Sequence, residues 1–293
     1  MKKTRSLPLL LAIFVLGVCT GCATVPYRYG GGGGPAPAMP LRAGEPQIER
    51  GCTNAFLDGV GWVLGIPGKI ILLDSRMENH RIGPHVETAV QAYLATNELR
   101  AVKVRLNQYD PYGEWSRWHR NTAIGWGWRY TVGLLSVTFY TILPGRLFGG
   151  DNYNPYTDTI SLYSNHPAVG LHEGGHAKDF AARTYKGTYA VAYLLPLVAL
   201  YPEALATGDA LGYLRRQGTA VEEKQAYKIL YPAYATYIGG EIGQFFTPYS
   251  LWITLGAVVP AHVVGRVKAA GVDARRAAEA TGQPSESLPH SAP

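Results

Sequence analysis

The stretch Leu171-His172-Glu173-Gly174-Gly175-His176 constrains this chain more than any other. Two histidines four residues apart stand about one turn apart on one helix face, so both imidazoles can reach one metal ion while Glu173 projects beside them. That geometry requires a helix, and Pro167 suits its first turn. Two histidines do not close a catalytic zinc site, which takes three protein ligands and leaves a fourth position for water. The fold must therefore hold the helix against an element that supplies a third. Gly174 and Gly175 each cost about 1 kcal/mol relative to alanine inside a helix. They predict close packing against an edge strand, or room for substrate over the metal.

Composition divides the rest of the chain. Met1 to Arg5 is positive, and Leu7 to Val18 is an apolar run too short for a comfortable membrane span, so residues 1–21 read as a secretory signal peptide. The run ends in Val18-Cys19-Thr20-Gly21-Cys22, which resembles a bacterial lipobox. Cys22 is the expected lipidation site because the small Gly21 precedes it, whereas Cys19 follows Val18. In a Gram-negative host, Ala23 after the cysteine favours the outer membrane.

Residues 22–52, with Gly30 to Gly34 and Pro-Ala-Pro-Ala-Met-Pro, read as a flexible tether, and residues 53–270 as the folded domain. Residues 271–293 lack an apolar stripe and read as a disordered tail. Three cysteines cannot build a disulfide framework, and Cys52 is expected to be a buried structural thiol. With Lys2, Lys3 and Arg5 removed, 24 basic side chains face 21 acidic ones, which gives no argument for nucleic acid as a partner.

Within the domain, Phe56 to Leu73 is apolar but broken by Gly59, Gly61, Gly65, Pro67 and Gly68, which predicts a packed, kinked segment. Pro84 opens a helix with Val86, Val90, Tyr93 and Leu94 on one stripe, ending near Asn97. Val102, Val104 and Leu106 alternate with Lys103 and Arg105, which predicts a half-buried strand. Tyr109 to Arg129 gathers Trp115, Trp118, Trp126 and Trp128 among basic residues. Aromatic packing is the plainest account of it, beside a membrane-interface belt or a substrate groove. Val132 to Leu143 fits helix or strand. Asp151 to Pro155 reads as a turn and Thr157 to Tyr163 as a strand running into the motif helix. Ile242 to Gly265 carries no Lys, Arg, Asp or Glu and is long enough to cross a bilayer. Pro248, Pro260 and His262 favour a buried, kinked hairpin instead.

This order of helix, strand, edge strand and H-E-x-x-H helix resembles the zincin metallopeptidases, and the gluzincin group in particular. The resemblance spans roughly Pro84 to Asp209 and implies an α+β fold with a small mixed sheet, its edge strand lying along the substrate cleft, and a largely helical C-terminal half. It implies a catalytic Zn²⁺ held by His172, His176 and a glutamate on a later helix, with Glu173 as general base. Glu203, 27 residues after His176 and next to Pro202, fits that ligand; Glu241 is the rival, while Glu222 and Glu223 look like a solvated face. No third histidine follows in metzincin register. Where the family places an aspartate four residues after the ligand glutamate, this chain has Thr207, so Asp179, Thr207 or Asp209 is left to orient a histidine. Tyr227, Tyr231 and Tyr234 share a helix face and are candidates for an oxyanion donor or for core.

The resulting expectation is a lipid-anchored zinc peptidase of the bacterial cell envelope, acting on polypeptides. Two alternatives stay open. One is a non-catalytic envelope lipoprotein that binds a partner or the cell wall; the other is hydrolysis of a non-peptide amide on the same residues.

Overall fold

The computed structural model describes residues 27–32, 39–148 and 150–281. The expected signal peptide, with Cys19 and the lipidation site Cys22, lies outside them, as do residues 33–38 and 282–293. In chain order, β1 (Ile48–Arg50) leads to α1 (Ala55–Leu64), whose first turn is capped by Asn54 accepting from Leu57 N–H at 3.0 Å. Gly65 and Pro67 then restart the chain as α2 (Ile66–Leu72), bent 49° from α1. The kinked segment expected here is thus two short helices. Next come α3 (Pro84–Thr96), β2 (Lys103–Leu106) and α4 (Pro111–Arg120). A helical turn at Trp126–Trp128 and a π-turn at Arg129–Gly133 lead into α5 (Leu134–Ile142), which settles the ambiguous 132–143 stretch as helix. After a helical turn at Gly145–Phe148 come β3 (Asn152–Asn154), β4 (Thr159–Leu162), α6 (Pro167–Ala181) and α7 (Lys186–Ala192). The chain ends in α8 (Leu200–Gln217), α9 (Ala220–Gly243), a 3-10 turn (Thr247–Tyr249), α10 (Ser250–Ala270) and α11 (Val272–Ala280).

The fold is α+β and mostly helical, with one mixed four-stranded sheet in the order β1-β2-β4-β3. β1, β2 and β4 are parallel, and β3 returns antiparallel on β4 with Tyr153 opposite Ile160. The strand read from Thr157 to Tyr163 is therefore internal, and the edge beside the motif helix is β3, in the stretch that reads as a turn. Three residues with two asparagines and a following proline give β3 no alternating pattern to recognise. β1 likewise falls inside the expected tether. It pairs Ile48 with Val104, so the folded part starts before Cys52, and Cys52 itself is exposed in the loop before α1 rather than buried.

One face of the sheet carries the main core: Val104, Leu106, Ile160 and Leu162 pack with the α3 stripe, with Leu171 of α6 and with Ala210 and Tyr213 of α8. The other face is equally buried, which corrects the half-buried reading of β2. Lys103 pairs with Glu49 at 2.8 Å, and Arg105 pairs with Glu114 at 2.8 Å and Asp110 at 3.0 Å. Alternating charge here marks a layer of buried ion pairs beneath α4, where a solvated face would show the same pattern. Trp118 is buried in a second core with Val137, Phe180 and Tyr189, while Trp126 is exposed, so the tryptophan cluster divides between interior and surface.

The C-terminal third also departs from expectation. α9 and α10 form an antiparallel hairpin turning at 244–249, and α10 continues unbroken through Pro260. Its outer face is exposed rather than buried. Residues 272–280, expected as part of a disordered tail, form α11, whose Arg275 and Arg276 close on Glu223 at 2.5 and 2.8 Å. Glu223 is fully buried by that pairing, not solvated.

Leu162 has no exposed surface and sits between α3 and α6. Leu162→Ala should lower the free energy of unfolding by about 2–5 kcal/mol, the usual cost of a large-to-small change in a packed core. Urea denaturation of the two proteins measures it.

Candidate metal centre

Helix α6 is buried from Ala168 to Phe180, and that burial explains its sequence. Its amino end is fixed by Pro167 and by His166 Nδ1, which accepts from the Ala168 N–H at 3.2 Å. A Cβ at position 174 would stand 2.6 Å from the Tyr93 ring, and one at 175 would stand 2.8 Å from Ala206 Cα. The paired glycines thus let α3 and α8 approach the helix, and the edge strand is not what they accommodate.

One buried carboxylate locks this arrangement. Asp209 of α8 accepts from Lys178 Nζ at 2.6 Å, from the Gly30 N–H at 2.8 Å and from the Tyr93 hydroxyl. Lys178, two residues after His176, also donates to the Arg28 carbonyl at 2.6 Å. The turn of α8 that holds Glu203 is thereby set opposite the turn of α6 that holds the two histidines.

The result is a close cluster of ligand-type atoms. His172 Nε2 lies 3.1 Å from Glu203 Oε2, His176 Nε2 lies 3.3 Å from Glu203 Oε1, and the two imidazole Nε2 atoms are 3.2 Å apart. Each of the three residues offers one ligand atom, all within 4.8 Å of one another, and together they could hold a metal ion. Two ring nitrogens and a carboxylate converging on one point are a donor set that a borderline divalent cation satisfies. Thr207 Oγ1 lies 3.4 Å from His172 Nδ1, whereas His176 Nδ1 is buried without a hydrogen-bond partner.

Of the other residues weighed from sequence, Asp179 is taken up by Arg183 at 2.6 Å and the Tyr189 hydroxyl at 2.5 Å. Asp209 acts as the lock just described and does not orient a histidine. Glu241 is half-buried at the hairpin end and accepts from the Leu197 N–H at 2.6 Å, and Glu222 closes the capping box that starts α9. Neither joins the cluster. Tyr234 donates to the Leu200 carbonyl at 3.3 Å, and Tyr227 and Tyr231 pack on each other with their rings tilted by 54°. Among the tyrosines of α9, the one that reaches the cleft is Tyr237, on the wall it shares with Glu203. It lies three residues beyond Tyr234, so the same helical stripe continued by one turn would have found it.

The cluster opens on a cleft of about 280 Å³ lined by Glu173, His176, Glu203, Tyr193, Tyr237 and the edge strand β3. Burial penalises charge on Glu203, but His176 and hydrogen bonds from both histidines outweigh it and hold the carboxyl well below the usual range. Burial also disfavours a charged His176, and the Glu203 carboxylate overrides this and raises it. Glu173 behaves oppositely: burial pushes its carboxyl up to about 8, opposed by His172 and reinforced by the Glu203 carboxylate.

A carboxyl raised from 4.5 to about 8 on folding makes the metal-free protein lose stability as pH rises between those values, because the folded state there holds a proton that the unfolded state has released. Metal-free Glu173→Gln should therefore gain stability relative to wild type across that window and level off above it. Urea titrations in chelator from pH 4 to 9 test this; parallel curves would refute it. Removing the lock by Asp209→Ala should cost about 3–5 kcal/mol, since it strands the buried Lys178 ammonium, and the same denaturation assay reads it.

Comparison of the chain with protein-family models, with curated protein sequences and with solved structures found no match.

Proposed function

We propose that this protein is a zinc-dependent peptidase of the bacterial cell envelope, with a zincin-like core and a lipid anchor at Cys22. The observation that carries the reading is the convergence of His172, His176 and Glu203, with Glu173 lining the same cleft as His176 and Glu203. His172, His176 and Glu203 would hold the ion. When bound, zinc would supply Lewis acidity, polarising the scissile carbonyl and making a water acidic enough to lose its proton near neutral pH.

The chain's own groups do the rest. Glu173 receives the proton of the attacking water and returns it to the departing amine, one carboxylate serving first as base and then as acid. A cation at the neighbouring ligands favours the ionised form of Glu173 that this first step needs. Tyr237 is kept protonated by burial and by the nearby Glu203 and Glu173 carboxylates, so its hydroxyl is a donor for the oxygen that gains charge. Tyr193, half-buried on the same wall, is likewise held as a neutral phenol. β3 has β4 on one side and the cleft on the other, so an extended polypeptide can add to it as a further strand, with backbone hydrogen bonds fixing the scissile amide.

Metal analysis and a peptide-library digest test this reading together. The wild type should carry one zinc per chain, and Glu203→Ala should lose it while Glu241→Ala keeps it. Glu173→Gln should retain zinc yet cleave about a hundred- to ten-thousand-fold more slowly, the typical worth of a positioned general base. A fully loaded wild type that cleaves nothing across a broad library would favour the non-catalytic lipoprotein. Mass spectrometry of the mature amino terminus should find an acylated Cys22.

A further inference from the structure

Three segments that are distant in sequence expose apolar side chains on adjoining surfaces. α1 and α2 expose Trp62 and Ile70, α10 exposes Trp252 and Val263, and α5 exposes Phe139 and Ile142. They adjoin because His262 Nε2 of α10 meets the Ile71 carbonyl oxygen at 2.8 Å, and because Gly61 of α1 packs against the Arg146 backbone just after α5. Trp252 is 70% exposed and Ile70 65%, far more than a water-facing surface of this extent normally tolerates in side chains of that kind.

What separates this surface from a soluble face is the fate of its polar groups. Asp58, on α1, turns inward to Arg146 at 2.6 Å and Asn107 at 3.0 Å, and Lys69, on α2, donates to the Trp62 and Glu78 carbonyls at 3.0 and 3.1 Å. In α5 the Thr138 and Thr141 hydroxyls return to their own helix at 2.8 Å each, and Ser136 accepts from Asn154 at 3.0 Å. In α10 the Thr254 hydroxyl bonds the Ser250 carbonyl at 2.9 Å, and no charged residue occurs before Arg266. Turning these polar groups inward is what hydrocarbon requires and water does not. The segment from Thr247 to Ala280 also contains a helical stretch long and apolar enough to cross a membrane.

The amino terminus leaves little slack between a lipid anchor and the domain. Because Arg28 and Gly30 are tied to Lys178 and Asp209, the folded part begins by Tyr27, five residues after Cys22. Five residues reach at most about 18 Å. An acyl chain on Cys22, where the proposed function places it, would therefore hold the domain against the bilayer and not on a long tether.

We propose that the joined outer faces of α1–α2, α5 and α10 form a belt that seats the protein in the hydrocarbon of a lipid bilayer, independently of the lipid anchor. The proposal stands on the exposed faces and their inward-turned polar groups; it needs neither zinc nor peptidase activity.

The test uses the full-length protein in vesicles of phosphatidylethanolamine and phosphatidylglycerol at 3:1, with acyl chains brominated at carbons 6 and 7 or left plain. Bromine quenches tryptophan only within the hydrocarbon, so wild-type emission should fall in the brominated vesicles. The double variant Trp62→Phe with Trp252→Phe should lose at least half of that quenching, with circular dichroism and zinc content unchanged to show that it is folded. Cys22→Ser should keep the quenching. No quenching in wild type, or undiminished quenching in the double variant, overturns the proposal. Loss of quenching in Cys22→Ser overturns it in favour of the anchor alone. A Cys22→Ser protein that stays in buffer as a dimer and ignores vesicles overturns it in favour of a second copy covering the face. An acylated or unacylated Cys22 found by mass spectrometry decides the anchor separately.

Discussion

The arrangement of the candidate site depends on the buried charge of Asp209. A carboxylate with no exposed surface is tolerable only when its oxygens are fully engaged, and here the partners come from three separate places: Lys178 on α6, Tyr93 on α3 and the Gly30 backbone near the amino terminus. Few arrangements of these elements satisfy all three donors at once. The arrangement that does so sets α6 and α8 in the register where His172, His176 and Glu203 converge. This lock and the contacts of Glu203 with both histidines together hold the ligand-type atoms close. Gly174 and Gly175 serve the same end by removing the two side chains that would hold α3 and α8 away.

Much of this was legible in the sequence where a residue's local pattern and its final environment agree. The motif helix, the α3 stripe and the apolar residues of β4 follow from spacing, proline placement and periodicity, while Glu203, singled out through the resemblance to gluzincins, is the glutamate that lies beside the two histidines. The failures share a physical cause: partners that lie far away in sequence. β1 and β3 are three-residue strands whose identity comes from the neighbours they pair with, Val104 and Ile160, rather than from their own composition. Lys103 and Arg105 read as solvated until Glu49 and Glu114 close over them. Glu223 reads as solvated until α11 folds back with Arg275 and Arg276. Asp209 reads from its local sequence only as a possible orienting group, because nothing local announces that Lys178 and Gly30 converge on it.

Hydropathy misleads in the opposite direction at the hairpin. A run of 24 residues without charge suggests either a span or an interior, and α10 is neither a simple interior helix nor an isolated one. It is packed along α9 on one side and bare on the other. The same division holds in α1 and α2, where Asp58 and Lys69 face inward and the hydrocarbon faces out. Such helices reverse the usual amphipathic plan, with the polar side turned to the protein and the apolar side turned away from it.

Helix α5 is a wall with two unlike sides. Through Ser136 it holds Asn154 of the edge strand and lines the cleft, while Phe139 and Ile142 face outward. A single layer of helix therefore separates the space where an extended chain would lie from whatever the protein rests against. The two sides share one backbone, so a displacement of the outer side of α5 would be a displacement of the cleft wall as well.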